Sequence, residues 1–398
     1  MNGHPVIIIG CGVGGWGAMR SLAMVPGLRC VALSPSRTEM GWGSRYAAEF
    51  HVCPHPDTEE AAFIEFLMAH AREWQGALLL PAADLMAMAL SKHKETLEKA
   101  YRVAVGPWDA MRRFLEKDQL QHLAAEAGVP MPGAVRLSPG ETRLPAIDHL
   151  QYPVWIKPSN SARFVRQYGR KGFLAADRAM LEGVLHRLRD AGQPLLLQEV
   201  IPGGDYRYEL ISVYVTREGK PAAISHQRKL RQHPPGFGVM RVGYSVDQNP
   251  EAEELAGRLL RAVAGYRGLV YFEFKRDPRD GRLKLIEVNV RVARFGMLPT
   301  ASGANYPELM YRDLVSGERD LVCRSRGGVW WIELLPDLYY TFFHRDGRQY
   351  GWADKLRPYR ARHKVFGDFD RRDWRPFLRH WKRGVRALGH RAHGTSPR

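Results

Sequence analysis

Cysteine is scarce in this chain, with four in 398 residues: Cys11, Cys30, Cys53 and Cys323. They are scattered without metal-ligand spacing. That excludes a disulfide framework and a cysteine zinc cluster, and it suits free thiols in a reducing cytosol. No apolar run approaches the ~20 residues that a transmembrane helix needs. A secretory leader is not expected either, because the chain opens on a strand-like run, Val6 to Ile9, followed by glycines. A cytoplasmic location follows, extending at most to the inner face of the membrane. Acidic residues are outnumbered, 42 against 59 Lys and Arg, leaving a net charge of +17. Such a surplus suits anionic substrates, an anionic polymer or a membrane surface. No nucleic-acid-binding motif accompanies it, so nucleic acid is not an expected partner. Internal repeats and a Ser-His-Asp pattern are also missing.

What remains is ordinary for a globular protein. Hydrophobic residues make up 45% and charged residues 25%, and the length allows two or three domains. The most informative stretch runs from Leu269 to Arg291, LVYFEFKRDPRDGRLKLIEVNVR. Two alternating runs flank Asp277-Pro278-Arg279-Asp280-Gly281, a turn signal, so a β-hairpin is predicted. With Arg276 opposite Arg282 and unbroken alternation, Glu273 falls opposite Leu285 and Tyr271 opposite Glu287. The even-numbered face then carries Val270, Phe272, Phe274, Ile286, Val288 and Val290, with Lys284 near the turn, and should pack on a core. The odd-numbered face carries Glu273, Lys275, Glu287, Asn289 and Arg291.

Two carboxylates and a carboxamide are hard oxygen ligands. They suit Mg²⁺, which takes one or two carboxylates and completes its shell with water and substrate phosphates. Arg291 is placed for an anionic oxygen. A solvated sheet face with cross-strand ion pairs, each contributing roughly 0.2–1 kcal/mol, would use similar residues. Asn289 fits that reading less well, since Asn is depleted in strands and makes no ion pair.

The N-terminal third alternates strand and helix patterns. A strand over Pro5–Ile9 leads into Gly10-Cys11-Gly12-Val13-Gly14-Gly15, then a helix to Met24 and a strand over Cys30–Leu33. This βαβ opening matches GxGxxG, and a helix N-terminus there could hold an anion. A dinucleotide site would want an acid at the end of the second strand. Ser34 stands there with Arg37 nearby, which disfavours NAD and leaves NADP open. Glycines serving only a tight turn and close helix packing explain the motif equally well. A helix over 58–74 and a strand over Ala77–Leu80 follow. Asp84, just beyond, is placed either for ligand contact or for helix capping. Helices are expected over 85–100 and 107–127, the second containing Glu116-Lys117-Asp118.

Further on, a strand ends in Lys157-Pro158, and the Ser159–Gly172 stretch reads as a flap over phosphates. A helix over 175–189 precedes the strand Leu195–Ile201, which turns polar at Gln198-Glu199, then Pro202-Gly203-Gly204-Asp205. Strands over 210–215 and 222–230 lead to Arg228, Lys229 and Arg231, and a helix over 251–265 precedes the hairpin. Past Gly327 aromatic residues crowd together before an Arg-rich end. A basic amphipathic helix over 374–388 would carry Phe377, Leu378, Trp381, Val385 and Leu388 on one side. It suits a membrane surface or anionic polymer, or equally a helix packed on the body with a solvated basic face.

Lys117, Lys157-Pro158, Gln198-Glu199-Val200-Ile201 with Asp205, the basic strand end, Glu273 and Glu287-Val288-Asn289 occur in a fixed order. Together they resemble the ATP-grasp superfamily, and FEFKRD…EVNVR is similar to its carboxylate–amine ligase branch, which includes D-aspartate ligases and carbamoyl-phosphate-synthetase-like proteins. The resemblance covers most of residues 5–317. It implies a mixed α/β and α+β chain, divided into an N-terminal Rossmann-like domain (1–110), an ATP-grasp N-subdomain (111–190), a C-subdomain with the metal-binding hairpin (191–326) and a basic C-terminal extension (327–398). It also implies roles. Lys117 and Lys157 contact ATP phosphates, with Lys157 near the adenine. Gln198 faces the adenine amino group, the backbone of Glu199 and Ile201 reads the base edge, and Asp205 takes the ribose hydroxyls. Glu273, Glu287 and Asn289 hold two Mg²⁺ ions. Lys229, Arg231 and Arg291 neutralise the transferring phosphoryl group, with Arg228 as a rival on the opposite strand face.

The implied activity joins a small carboxylate to an amine through an acyl-phosphate, releasing ADP, and such enzymes are commonly homodimers. Three alternatives stay open. One is an NADP-dependent oxidoreductase using Gly10, Gly12 and Gly15. Another is a non-catalytic ATP-binding scaffold docked on a membrane or anionic polymer through the C-terminal extension. The third is a related ligase that makes a thioester or phosphorylates a small molecule.

Overall fold

The computed structural model describes residues 3–141, 147, 150–158, 164, 167–170 and 172–392. The three central strands of its first sheet are short, fully buried apolar runs, and the two edge strands are more polar and more exposed. β1 (Val6–Ile9), β2 (Cys30–Ser34), β3 (Glu49–Val52), β4 (Leu78–Pro81) and β5 (Arg102–Val103) lie parallel in the order β3-β2-β1-β4-β5. β1 sits between β2 and β4, so the strand order reverses there and a crevice opens at their carboxyl ends. Helices α1 (Val13–Leu22), α2 (Glu60–Ala69), α3 (Asp84–Lys92) and α4 (Lys94–Leu97) connect the strands. The long helices expected over 58–74 and 85–100 are thus shorter, and the second is broken at His93.

The first and last glycines of GxGxxG, Gly10 and Gly15, serve the turn and close packing, whereas a Cβ on Gly12 would meet nothing within 4 Å. Gly10 has φ +100°, and a Cβ on Gly15 would stand 1.8 Å from the Gly10 carbonyl oxygen. The Cys11 N–H at the mouth of α1 donates to the Glu39 carboxylate, which also accepts from Ser34 Oγ at 2.8 Å. The chain's own anion therefore fills the place a dinucleotide phosphate would need, and the NADP reading loses its support.

The expected helix over 107–127 breaks at Glu116, whose backbone is extended (φ −81°, ψ 120°). It gives α5 (Trp108–Leu115) and α6 (Lys117–Glu126), so Lys117 opens a helix instead of lying inside one. A four-stranded antiparallel sheet follows: β6 (Ala134–Leu137), β7 (Val154–Pro158), β8 (Phe173–Ala175) and β9 (Leu195–Glu199), ordered β6-β9-β7-β8 and backed by α7 (Arg178–Arg187). Val154, Ile156, Leu195 and Leu197 join its own apolar core with Leu181 and Leu185. Period-two alternation turns Trp155, Lys157, Leu196 and Gln198 to the opposite face. Most of the expected flap over 159–172 lies outside the described residues.

The large sheet runs β14-β13-β10-β11-β12-β16-β17. Its strands are β10 (Tyr208–Val215), β11 (Pro221–His233), β12 (Val239–Val246), β13 (Gly268–Arg276), β14 (Leu283–Asn289), β15 (Cys323–Arg324, on β11), β16 (Trp330–Ile332) and β17 (Lys364–Phe366). Helix α8 (Pro250–Ala262) covers one face, and its Leu255 and Leu259 share a continuous core with Phe63, Leu79, Phe114 and Phe272. That core joins the parallel sheet to the large sheet.

Residues beyond 327 are not an appendage. β16 is hydrogen-bonded between β12 and β17, inside the large sheet. The last helix, α9 (Arg375–Ala392), is basic, but it packs on the body: Arg379 and Arg383 donate to the carbonyls of Arg37 and Thr38 (2.8 and 3.0 Å), and Phe377 meets Phe369 edge-on. The side chains of Val385 and Leu388 lie outside the description. Among the described residues no helix is long and apolar enough to cross a membrane.

Candidate active site

A cleft of about 480 Å³ lies between the polar face of the small sheet and the β13–β14 hairpin. That is within the ~300–1,000 Å³ typical of small-molecule sites. Apolar walls come from Phe114, Leu115, Met131, Leu196, Val200 and Ile286. Trp155 and Phe237 stack across it, rings 4.5 Å apart and 18° from parallel.

The hairpin forms with a bulge that regular alternation does not foresee. Glu273 pairs directly with Glu287, Tyr271 with Asn289 and Phe272 with Val288. The register then shifts so that Phe274 faces Leu285 and Arg276 faces Leu283. Ile286 is the residue left over. Leu283 and Leu285 therefore enter the core and Ile286 borders the cleft, the reverse of the expected parity. On the far side of the bulge parity holds, and Glu273, Lys275, Glu287 and Asn289 all border the cleft.

The two glutamates standing side by side set the electrostatics. Burial and the Glu273 charge push the Glu287 carboxyl above its ordinary range, against the pull of Lys157 and Lys229. Glu287 is open to solvent through the cleft, yet protein surrounds it closely enough for these charges to act. Three lysines face the same space. Burial lowers Lys157, with Glu287 and Glu273 opposing. Burial and the Lys157 charge bring Lys117 down to about 8. Burial brings Lys275 to about 8, with Lys229 and Arg207 adding to the effect. Charge is thus separated across one cleft: carboxylates on the hairpin, cations around them.

Of the expected ligand residues, Lys117, Lys157, Gln198, Glu199, Ile201, Glu273, Glu287 and Asn289 border the cleft. Lys157 Nζ donates to Gln198 Oε1 (2.5 Å), which leaves the Gln198 amide nitrogen for a ligand. Lys117 Nζ donates to the Pro158 carbonyl. The Glu199 N–H is taken by the Gly133 carbonyl (2.9 Å), and the Ile201 carbonyl accepts from Lys275 Nζ (2.7 Å). The Glu199 carboxylate holds Arg279 of the hairpin turn (3.2 Å), tying the small sheet to the hairpin.

Four expected site residues are engaged by partners within the protein. Asp205 does not border the cleft. Its carboxylate accepts from Gln232 N, Gln232 Nε2 and Gly236 N at 3.0, 2.8 and 2.9 Å, so it is engaged within the protein. Lys229 is 4% exposed and donates to Glu273 Oε1 at 2.6 Å, behind the cleft wall. Arg231 is fully buried and bound through two nitrogens to Asp337 (2.8 and 2.6 Å), away from the cleft. Arg291 holds Asp84 (3.0 and 3.3 Å) and Asn289 Oδ1 (3.1 Å) at the cleft edge. Asp84 is the first residue of α3 and makes this ion pair instead of a cap. Arg228, the rival cation, pairs with Glu209 (3.3 Å).

Lys275 was legible in the alternation but received no role. Trp155 was legible in the same way, two residues before Lys157. Gln232, Tyr208 and Phe237 reach the cleft through β10, β11 and the turn after β11, and no local spacing announces them.

The residues fit a hydrated Mg²⁺ ion. Glu273 Oε1 is engaged by Lys229 and Asn289 Oδ1 by Arg291, which leaves the second Glu273 oxygen, the Glu287 carboxylate and the remaining lone pair of Asn289 Oδ1 bordering one cleft. A divalent cation there would offset the repulsion that raises Glu287. Among the described residues no group of three or more His, Cys, Asp or Glu could hold a metal unaided.

Deprotonation of Lys117 near pH 8 has a measurable consequence. A polyanion binds the charged lysine, so nucleotide affinity should fall as pH rises through that value, by up to about tenfold per unit. Lys117→Arg, which stays charged, should keep more of its ATP affinity at pH 9, in a titration that follows tryptophan emission. Equal losses in both chains would remove Lys117 from the site.

No protein-family model matches the chain. It is 26% identical over 328 residues to a D-aspartate ligase of Enterococcus faecium (strain Aus0004), covering 78% of this chain and 76% of that one. Among solved structures it is similar to N5-carboxyaminoimidazole synthetase from Staphylococcus aureus complexed with ADP (TM-score 0.63, 15% identity, 87% of this chain and 86% of that one). It is likewise similar to an L-amino acid ligase from Bacillus licheniformis (TM-score 0.57, 16% identity, 79% and 75%). The chain shares its fold with these solved ligase and synthetase structures.

Proposed function

We propose that the chain is an ATP-dependent carboxylate–amine ligase. A carboxylate oxygen of a small acid attacks the γ-phosphorus of ATP, and ADP leaves. An amine nitrogen then attacks the acyl carbon, phosphate leaves with the electron pair of the broken C–O bond, and the amine loses a proton to phosphate or solvent. The observation that carries this reading is the opposition of Lys117, Lys157 and Lys275 to Glu273, Glu287 and Asn289 in one apolar-walled cleft. Phosphoryl transfer asks the protein chiefly for positioning and charge neutralisation.

Leu196, Met131 and the stacked Trp155–Phe237 pair give one part of the cleft an apolar surface on which a flat base would lie, with the Gln198 amide nitrogen also in the cleft. Lys117 and Lys157 would meet the phosphates, and Glu273, Glu287 and Asn289 would hold Mg²⁺, which supplies neutralisation of the phosphate charge. Arg291, fixed by Asp84, stands at the edge where the acid would enter. The likeness to D-aspartate ligase and L-amino acid ligase supports an amino acid as one substrate.

The test is ADP release from Mg·ATP with pooled amino and carboxylic acids, with and without hydroxylamine. Acid-dependent ADP release together with a hydroxamate is the expected result. Acid-independent ADP release, or phosphorylated product without hydroxamate, would replace the ligase reading with an ATPase or kinase.

A further inference from the structure

Asp205 stands where the resemblance places a ribose-binding carboxylate, yet its surroundings give it other work. It is 6% exposed. Oδ1 accepts from Gln232 Nε2 (2.8 Å) and Gly236 N (2.9 Å), and Oδ2 accepts from Gln232 N (3.0 Å), with Tyr350 Oη at 3.5 Å. The other end of the Gln232 amide, Oε1, accepts from Lys229 Nζ (3.1 Å). Lys229 Nζ in turn donates to Glu273 Oε1 (2.6 Å) and lies over the Tyr208 ring, 4.3 Å from its centroid.

A carboxylate only accepts and an ammonium only donates. A glutamine between them has one workable orientation, nitrogen to Asp205 and oxygen to Lys229. The series Asp205–Gln232–Lys229–Glu273 is therefore polar in one direction, and each member fixes the next.

We propose that Asp205 is a positioning residue for the cation end of the cleft, acting through Gln232 and Lys229 on Glu273, and that it does not contact the ribose. The proposal rests on the nucleotide reading of the cleft. Asparagine at 205 can present either an oxygen or a nitrogen to Gln232, so the amide can turn over, Lys229 loses an acceptor, and Glu273 loses its fixed orientation. Groups that orient a metal ligand in this way typically change metal affinity by about 10–100-fold when altered.

The measurement is Mn²⁺ binding, read as free Mn²⁺ by electron paramagnetic resonance, in the presence of a non-hydrolysable ATP analogue. Asp205→Asn and Gln232→Met should each weaken Mn²⁺ binding by about 10–100-fold. The double variant should be no weaker than the stronger single one, because both cut one series. The preference for ATP over its 2′-deoxy and 3′-deoxy forms, read by competition, should be the same in wild type and Asp205→Asn. Unchanged Mn²⁺ binding in a folded Asp205→Asn chain would overturn the proposal, as would loss of ribose discrimination in that variant. Should Asp205→Asn not fold, Gln232→Met decides alone: a loss of Mn²⁺ affinity supports the series and an unchanged affinity refutes it. A wild-type chain that binds no nucleotide with Mn²⁺ overturns both this proposal and the nucleotide reading. A wild-type chain that binds both yet never forms a hydroxamate refutes the ligase reading while the binding data still decide this one.

Discussion

Glu287→Gln is expected to lower ADP release by about 10²–10³-fold, the loss typical when one preorganised electrostatic partner of a transition state is removed, without lowering the melting temperature. The two effects separate because Glu287 is a liability in the resting fold. It stands directly opposite Glu273 across the hairpin, and that like charge, with burial, raises its carboxyl. Glutamine keeps the shape and removes both the repulsion from Glu273 and the attraction to Lys157 and Lys229, so the two changes offset each other in the folded state. In the reaction the same change removes a negative oxygen from the place where Mg²⁺ and the nucleotide phosphates would meet. The paired measurement is ADP release beside a thermal melt. Near-normal ADP release from a folded variant would sink the metal assignment. A large drop in melting temperature would mean that Glu287 supports the fold and that its activity loss is indirect.

The same hairpin shows how far reading from sequence reaches. Its existence, its turn and the cleft-facing set Glu273, Lys275, Glu287 and Asn289 follow from alternation. The pairing of Glu273 with Glu287 does not, because a bulge at Ile286 adds one residue to one strand and shifts everything towards the turn. Bulges leave no spacing signal when the extra residue is apolar and its neighbours are too. Lys117 was found, but as an interior helical residue, since nothing in Phe114-Leu115-Glu116-Lys117 marks a helix break. On the small sheet only β7 alternates in burial, setting Trp155 and Lys157 apart from Val154 and Ile156; β9 runs through three leucines before Gln198, so the resemblance and not the local pattern singles Gln198 out.

The cations were the hardest to place. Lys229 and Arg231 sit two positions apart on β11, and alternation puts them on one face. The register shifts between Lys229 and Arg231 and again at Gln232, so one reaches Glu273 and the other reaches Asp337. Arg231's destination lies 106 residues further along the chain, in a segment whose aromatic and basic composition suggested a separate appendage. Long-range ion pairs of this kind carry no local pattern.

Asp337→Ala is accordingly expected to cost about 3–5 kcal/mol of stability, the range for breaking a buried ion pair from one side. Asp337 has no solvent exposure. Its Oδ1 accepts from Arg231 Nε, Arg241 and Thr341 Oγ1 at 2.8, 3.2 and 3.0 Å, and its Oδ2 accepts from Arg231 and Tyr359 Oη at 2.6 and 2.7 Å. Alanine would leave two guanidiniums, 0% and 2% exposed, without their shared anion. Arg241 is already lowered by burial with Asp337 opposing, so losing that carboxylate removes the main force keeping its charge in place. The damage should also reach the cleft, because Arg241 donates to the Gln232 carbonyl (3.3 Å) and Gln232 borders it. Chemical unfolding followed by tryptophan emission should show a transition displaced well below that of the wild type, with nucleotide affinity reduced even where the chain is still folded. A shift under about 1 kcal/mol would mean that the two arginines find other partners. Deleting everything beyond Gly327 should be more damaging still, since it strips both β16 and β17 from the β12 side of the large sheet together with Asp337. On this view Asp337 and its neighbours on β16 shape the strands that carry Gln232 and Arg241.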